Sequence, residues 1–216
     1  MVAETETKST VRQGVDMDAF DGFVGYAAEN PADVQFTLEA LGISEGRVAH
    51  TTASTGPYTL GGQRIDRLAR EYTTHFGAHK EVEAALGFVD PIDREEVIEA
   101  ALAALTGCIN TAVSMSAAIR GIDLDTLETT VRIDWDPFVF LHLEDPESDG
   151  EPTDQYSGLE VELVVDGEGL DEEDIAYLTE SVKRSAVYNI FTMAHETSPV
   201  VHLAGESRPG PGRSDR

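Results

Sequence analysis

The chain has 216 residues but only one cysteine, Cys108, and three lysines, Lys8, Lys80 and Lys183. A single thiol excludes an internal disulfide framework and any zinc site built wholly of cysteine. Long apolar runs are also missing: nothing approaches 18 consecutive apolar residues, so no membrane span is expected. The opening residues MVAETETKST lack a basic leader and an apolar segment. They do not read as a secretory signal, and a cytoplasmic protein is the expectation. There is no G-x-S-x-G nucleophile elbow and no H-E-x-x-H frame. The only Gly-Gly turn, LGGQR at 60–64, lacks the spacing and the lysine of a phosphate loop.

Basic charge is scarce. Lysine and arginine total 15 against 41 aspartates and glutamates, for a net charge of −26 and a pI near 4.3. No basic stripe exists to release counterions, so nucleic acid is not an expected partner. Self-repulsion of this size loosens a compact state at low salt and is screened at high salt. With lysine so rare, the balance reads as adaptation to a salt-rich cytoplasm.

What is present is an ordinary globular composition, 41% hydrophobic and 26% charged, enough for one sizeable domain. Residues 1–14 read as a tail, and 205–216 (GESRPGPGRSDR) as a disordered one. Residues 16–42 suggest two short helices split at Asn30-Pro31. From Arg47 to Phe76, a Thr- and Val-rich stretch broken by Gly-Pro and Gly-Gly reads as a strand meander. Asp93 then opens a long helix that Arg120-Gly121 closes. About 27 residues at 1.5 Å rise give on the order of 40 Å, and its middle is apolar nearly all round. Strands follow at 127–135 and 159–166, with a further candidate at 138–143. In the 159–166 strand Leu159, Val161 and Leu163 point inward and Glu160 and Glu162 outward. A second helix, capped by Asp171, runs through SAVYNIF at 185–191. The order of strands, long helix, strands and second helix is α+β. A helix this apolar in so small a chain suggests that a second copy covers part of it.

These residues resemble the OsmC family, which includes the organic hydroperoxide resistance proteins. The segment VIEAALAALTGC (97–108) is similar to the family motif P-x-E-L-L-L-A-A-L-A-G-C, and RGIDLDTLETTV (120–131) to the R-G-[IL] stretch after it. Glu99 falls on the motif's glutamate and Cys108 on its cysteine. SAVYNIF occupies the place of C-P-V-x-N-T-L. The resemblance divides the chain into a partly helical extension (1–46), an OsmC-like domain (47–204) and the tail. It implies an antiparallel sheet with a long buried central helix and a second helix, assembled as an intertwined homodimer. It also implies hydroperoxide reduction without a cofactor: a thiolate attacks the peroxide oxygen, a second cysteine closes a disulfide, and a dithiol restores the enzyme.

Several positions depart from that pattern. Ser185 stands in place of the resolving cysteine, so any resolving thiol must come from outside. Nine residues of ideal helix turn about 900° and rise about 13.5 Å, which puts Glu99 on the opposite face from Cys108. Glu99 therefore reaches the thiol only through a helix break or across a dimer. Ile98 holds an alternative acid position. In relatives an arginine precedes Phe where this chain has His75-Phe76, with Arg64, Arg67 and Arg70 nearby. The candidate catalytic set is therefore Cys108, Glu99, His75 and Ser185, with Tyr188 and Asn189 as candidate pocket residues.

Each also has a plainer reading. Cys108 is a reactive centre if a cation or donor offsets burial, and a small core hydrophobe otherwise. Ser185 fits a helix-terminal hydroxyl, Tyr188 and Asn189 fit packing or capping, and Met115 fits core packing. His75 and His79 are four apart but outside any helical pattern, so no metal site is expected. Two functions follow. One is a one-cysteine thiol peroxidase supplied by an external thiol. The other is a catalytically silent dimer that holds an apolar small molecule in its interface pocket.

Overall fold

A computed structural model describes residues 10–65, 72–195, 197 and 199–203. The expected disordered tail at 205–216 lies outside these residues, as do Arg67, Arg70 and the first nine positions of the expected N-terminal tail.

The N-terminal half opens with two-residue strands β1 (Val11–Arg12) and β2 (Val15–Asp16) and helix α1 (Met17–Glu29). A 3-10 turn (Pro31–Val34) leads to β3 (Phe36–Thr37), β4 (Ala40–Ser44), β5 (Thr51–Thr55), β6 (Tyr58–Leu60), β7 (Gln63–Ile65) and β8 (Thr73–Gly77). Helix α2 (Lys80–Ala85) and the short β9 (Glu95–Glu96) complete it. Strands β4, β5, β8 and β9 form one sheet, antiparallel except for the β8–β9 pair, and β3, β6 and β7 form a second.

The C-terminal half holds α3 (Val97–Arg120), β10 (Thr126–Trp135), two-residue strands β11 (Glu147–Ser148) and β12 (Glu151–Pro152), and β13 (Tyr156–Asp166). Helix α4 (Glu172–Ser181), a 3-10 turn (Val182–Arg184) and α5 (Ala186–Thr192) follow. The antiparallel ribbon of β10 and β13 runs from Thr126↔Asp166 to Trp135↔Tyr156, with a register shift between Arg132 and Asp134. The architecture is α+β, with antiparallel sheets and a long central helix.

Local chemistry explains where the elements start. Glu96, not Asp93, caps α3: its carboxylate accepts the N–H groups of Ile98 at 2.6 Å and Glu99 at 3.0 Å. Asp93 is occupied elsewhere, accepting the Lys80 N–H at 3.1 Å. At the other end Gly121 takes the left-handed conformation (φ 84°) and returns its N–H to Ala117.

Three further expectations are corrected. The second helix expected within 31–42 shrinks to the 3-10 turn, because residues 40–44 pair with β5 along five positions, and sheet pairing overrides local propensity. Residues 138–143 are turns rather than a strand, seeded where Asp136 accepts the Phe138 N–H at 2.9 Å. The expected second helix is divided, because Ser185 leaves helical geometry (ψ 120°) and its hydroxyl accepts the Tyr188 N–H at 3.1 Å, starting α5 afresh.

The core belongs to the C-terminal half. Leu105, Ile109, Val113 and Ala117 repeat every fourth residue along α3 and are fully buried. They pack with Ile122, Leu178 and Val182, under the inner face of the ribbon at Val131, Val161 and Leu163. Fully burying one such leucine or isoleucine is worth about 1.5–3 kcal/mol. Among the described residues before Val97, no apolar side chain is fully buried. Phe23, Phe36, Leu41, Ile43, Val82 and Val89 lie open instead. Within one chain α3 is not covered all round: Ala103, Ala104, Gly107 and Thr111 form an exposed stripe of small residues. By length and composition α3 is also apolar enough to cross a membrane, although its buried face carries the core.

Candidate functional site

Cys108, Thr111, Ala112, Met115 and Ile119 share one face of α3 and form one wall of a cleft of about 550 Å³. Tyr177 of α4 and the segment Arg184-Ser185-Ala186 form the other wall. The cleft therefore lies where the α4–α5 break crosses the central helix. Met115 sits on this wall rather than serving only as core packing.

The Cys108 thiol is half-buried, and burial pushes its pKa up. Three donors work against burial. The Ser185 hydroxyl and the backbone N–H groups of Val187 and Ala186 favour the thiolate, and together they hold the thiol below its ordinary value. Those N–H groups belong to the first turn of α5, where backbone donors have no acceptor within the helix. The break at Ser185 thus supplies both a capped helix start and a hydrogen-bonded seat for a thiolate.

The other residues singled out from sequence lie elsewhere. Because α3 is continuous from Val97 to Arg120, no helix break carries Glu99 to the thiol. Glu99 is exposed and pairs with His79 at 3.3 Å. His75, on β8, contacts Glu45 at 3.0 Å and Thr52 at 3.1 Å. Arg94 grips the same Glu45 with two nitrogens, at 3.0 and 2.7 Å. Arg94, His75 and Thr52 together pull the Glu45 carboxyl down to about 2. Tyr188 donates its N–H to Ser185 and packs on the core, and the Asn189 carbonyl accepts the Met193 N–H. Neither Tyr188 nor Asn189 lines the cleft. Among the described residues no group of three or more His, Cys, Asp or Glu is placed to hold a metal.

Sequence reasoning missed Arg184. It lines the cleft with Cys108, is exposed, and its side chain makes no hydrogen bond or ion pair with any described residue. Its signal was position alone, a basic residue directly before Ser185. Also missed was a buried pair, His50 with Glu83, in which the second Glu83 oxygen accepts the Ile92 N–H at 3.0 Å.

A separate cleft of about 560 Å³ lies toward the start of α3, walled by Val97, Ile98, Ile133, Tyr156, Ile190 and Phe191. Ile98 gives its part of the wall an apolar side chain, while Asp154 and Ser157 also line the space.

Residues 98–200 match the family model described as OsmC-like protein. No curated protein matches the chain at a significant level. Among solved structures, the OsmC-like protein from Mycoplasma pneumoniae is similar at 15% identity and a TM-score of 0.43, over 74% of this chain and 88% of that one. The organic hydroperoxide resistance protein OhrB of Bacillus subtilis is similar at 19% identity and a TM-score of 0.39, over 72% and 90%. The organic hydroperoxide resistance protein from Elizabethkingia anophelis, with thiocyanate bound, is similar at 16% identity and a TM-score of 0.39, over 74% and 89%.

Proposed function

We propose, on the premise that residues 98–200 form an OsmC-like domain, that this protein is a one-cysteine thiol peroxidase. In this reading the Cys108 thiolate attacks the terminal oxygen of an organic hydroperoxide. The O–O bond breaks, an alcohol leaves, and Cys108 becomes a sulfenic acid. The observation that carries the reading is that Cys108 lines an open cleft with Ser185 and Ala186, where the Ser185 hydroxyl and the N–H groups of Val187 and Ala186 lower the thiol pKa. The Met115, Ile119 and Tyr177 wall suits the organic part of such a peroxide. Ser185 stands where relatives carry the resolving cysteine and cannot form a disulfide, so the reductant is an external thiol. The test is consumption of an organic hydroperoxide with excess thiol in high salt, for the wild type and Cys108→Ser. Turnover by the wild type alone supports the reading, and equal, negligible rates sink it.

The same reading includes a homodimer. Two observations support it: the N-terminal half buries no apolar side chain among its described residues, and the exposed small-residue stripe of α3 lets another helix approach closely. Sedimentation in high salt checks it, and a monomer at micromolar concentration counts against it.

A second reading draws on the Ile98 cleft. There the protein is a catalytically silent dimer that binds an apolar small molecule. Saturable binding of an apolar fluorophore, weakened by Ile98→Asp and unaffected by alkylation of Cys108, separates it from the first.

A further inference from the structure

We propose that Arg184 docks the carboxylate of a small anionic thiol, and that this thiol is the external reductant that resolves oxidised Cys108. The proposal rests on the thiol-peroxidase reading and specifies the chemical class of its second substrate.

Arg184 lines the same cleft as Cys108. Its chain neighbour Ser185 lines the same cleft beside the thiol. A carboxylate held by this guanidinium therefore keeps a short thiol in the cleft that Cys108 lines. Charge pairing elsewhere sharpens the point. Acids outnumber bases 41 to 15 in this chain, and several described cations pair with carboxylates, whereas Arg12 and Lys80, like Arg184, do not. Arg94 holds Glu45, Arg120 holds Glu173 and Asp174, and Arg132 holds Glu162. Lys183, the residue before Arg184, turns to Glu180 at 2.9 Å. Arg184 pairs with no described acid. A planar guanidinium with free donors suits a carboxylate, which it can bind through two parallel hydrogen bonds. A net charge of −26 repels an anion at long range. A cation at the cleft is what an anionic co-substrate needs there, and at high salt only such short-range contacts remain unscreened.

The chemistry balances with this thiol as reductant. Its thiolate attacks the sulfenic sulfur, the S–O bond breaks, an S–S bond forms, and the hydroxyl leaves as water with the thiol's proton. A second molecule of the thiol attacks the mixed disulfide at the small-molecule sulfur. That step frees the Cys108 thiolate and releases the symmetric disulfide. Overall, one hydroperoxide and two thiols give one alcohol, one water and one disulfide.

The test oxidises Cys108 with one equivalent of hydroperoxide and follows mixed-disulfide formation by mass spectrometry. The thiols are 3-mercaptopropionate, 2-mercaptoethanol and cysteamine, with rates normalised to the thiolate present. The expected order is anionic, neutral, cationic, with a preference of about two- to five-fold for the anion over the neutral thiol, the size of one exposed ion pair. Arg184→Gln should abolish that preference and Arg184→Lys should keep part of it. In the wild type, propionate should slow the reaction of 3-mercaptopropionate but not of 2-mercaptoethanol, a readout that needs no variant. Equal preference in wild type and Arg184→Gln, or no competition by propionate, overturns the proposal while leaving the peroxidase intact. Failure of Cys108 to form a sulfenic acid overturns the peroxidase reading and this proposal with it.

Discussion

The Ser185 hydroxyl accepts the Tyr188 N–H at 3.1 Å and lines the cleft beside Cys108, whose thiol it favours as the thiolate. One side chain therefore starts α5 and lowers the pKa of the thiol.

Ser185→Ala removes both roles. The variant should lose about 1 kcal/mol of stability, as for other N-cap deletions. Its Cys108 pKa should rise, because burial is then opposed only by two backbone donors. Thermal melts read the first effect, and alkylation rate against pH reads the second. An unchanged alkylation profile would contradict the role given to the hydroxyl.

Ser185→Cys places a second sulfur in the cleft beside Cys108. One equivalent of hydroperoxide should then consume both thiols and give an intramolecular disulfide, visible by mass as the loss of two hydrogens. Persistence of a sulfenic acid in that variant would show that the two side chains do not approach as described.

Glu45 provides a pH test. Arg94, His75 and Thr52 hold its carboxyl at about 2, from an ordinary 4.5. A depressed folded-state pKa contributes stability that is complete above 4.5 and is lost as pH falls through about 2. Glu45→Gln should lower the melting temperature at neutral pH and flatten the acid limb between these values. Parallel wild-type and variant curves across that window would remove Glu45 from the account.

Ile109→Ala tests the core. Ile109 is fully buried under the ribbon and α4, so the variant should lose about 2–5 kcal/mol. Denaturant titration in high salt measures it, and a loss under 1 kcal/mol would mean that α3 packs elsewhere.

Salt should stabilise the whole chain. Raising KCl from 0.1 to 1 M shortens the Debye length from about 10 to about 3 Å. The melting temperature should rise steadily as the net charge of −26 is screened. A flat or falling trend would remove the adaptation to a salt-rich interior.

Local pattern was enough to find the long helix, because its apolar repeat and the stop at Gly121 are properties of adjacent residues. It was also enough for the inward alternation of Leu159, Val161 and Leu163, and for Asp171 as a cap, which accepts the Asp174 N–H at 2.9 Å. The candidate thiol was visible for the same reason: Cys108 is the only cysteine and sits in a recognisable motif. Strand β4 was not visible, since only pairing with β5 makes residues 40–44 extended. Nor could sequence show the partners of Glu99 and His75, which lie 20 and 30 residues away at His79 and Glu45. Spacing along a chain determines which side chains share a face of one helix. Which groups meet a thiol depends on how separate segments pack, and the packing of the 3-10 turn and α5 against α3 brought Arg184 and Ser185 to the cleft at Cys108.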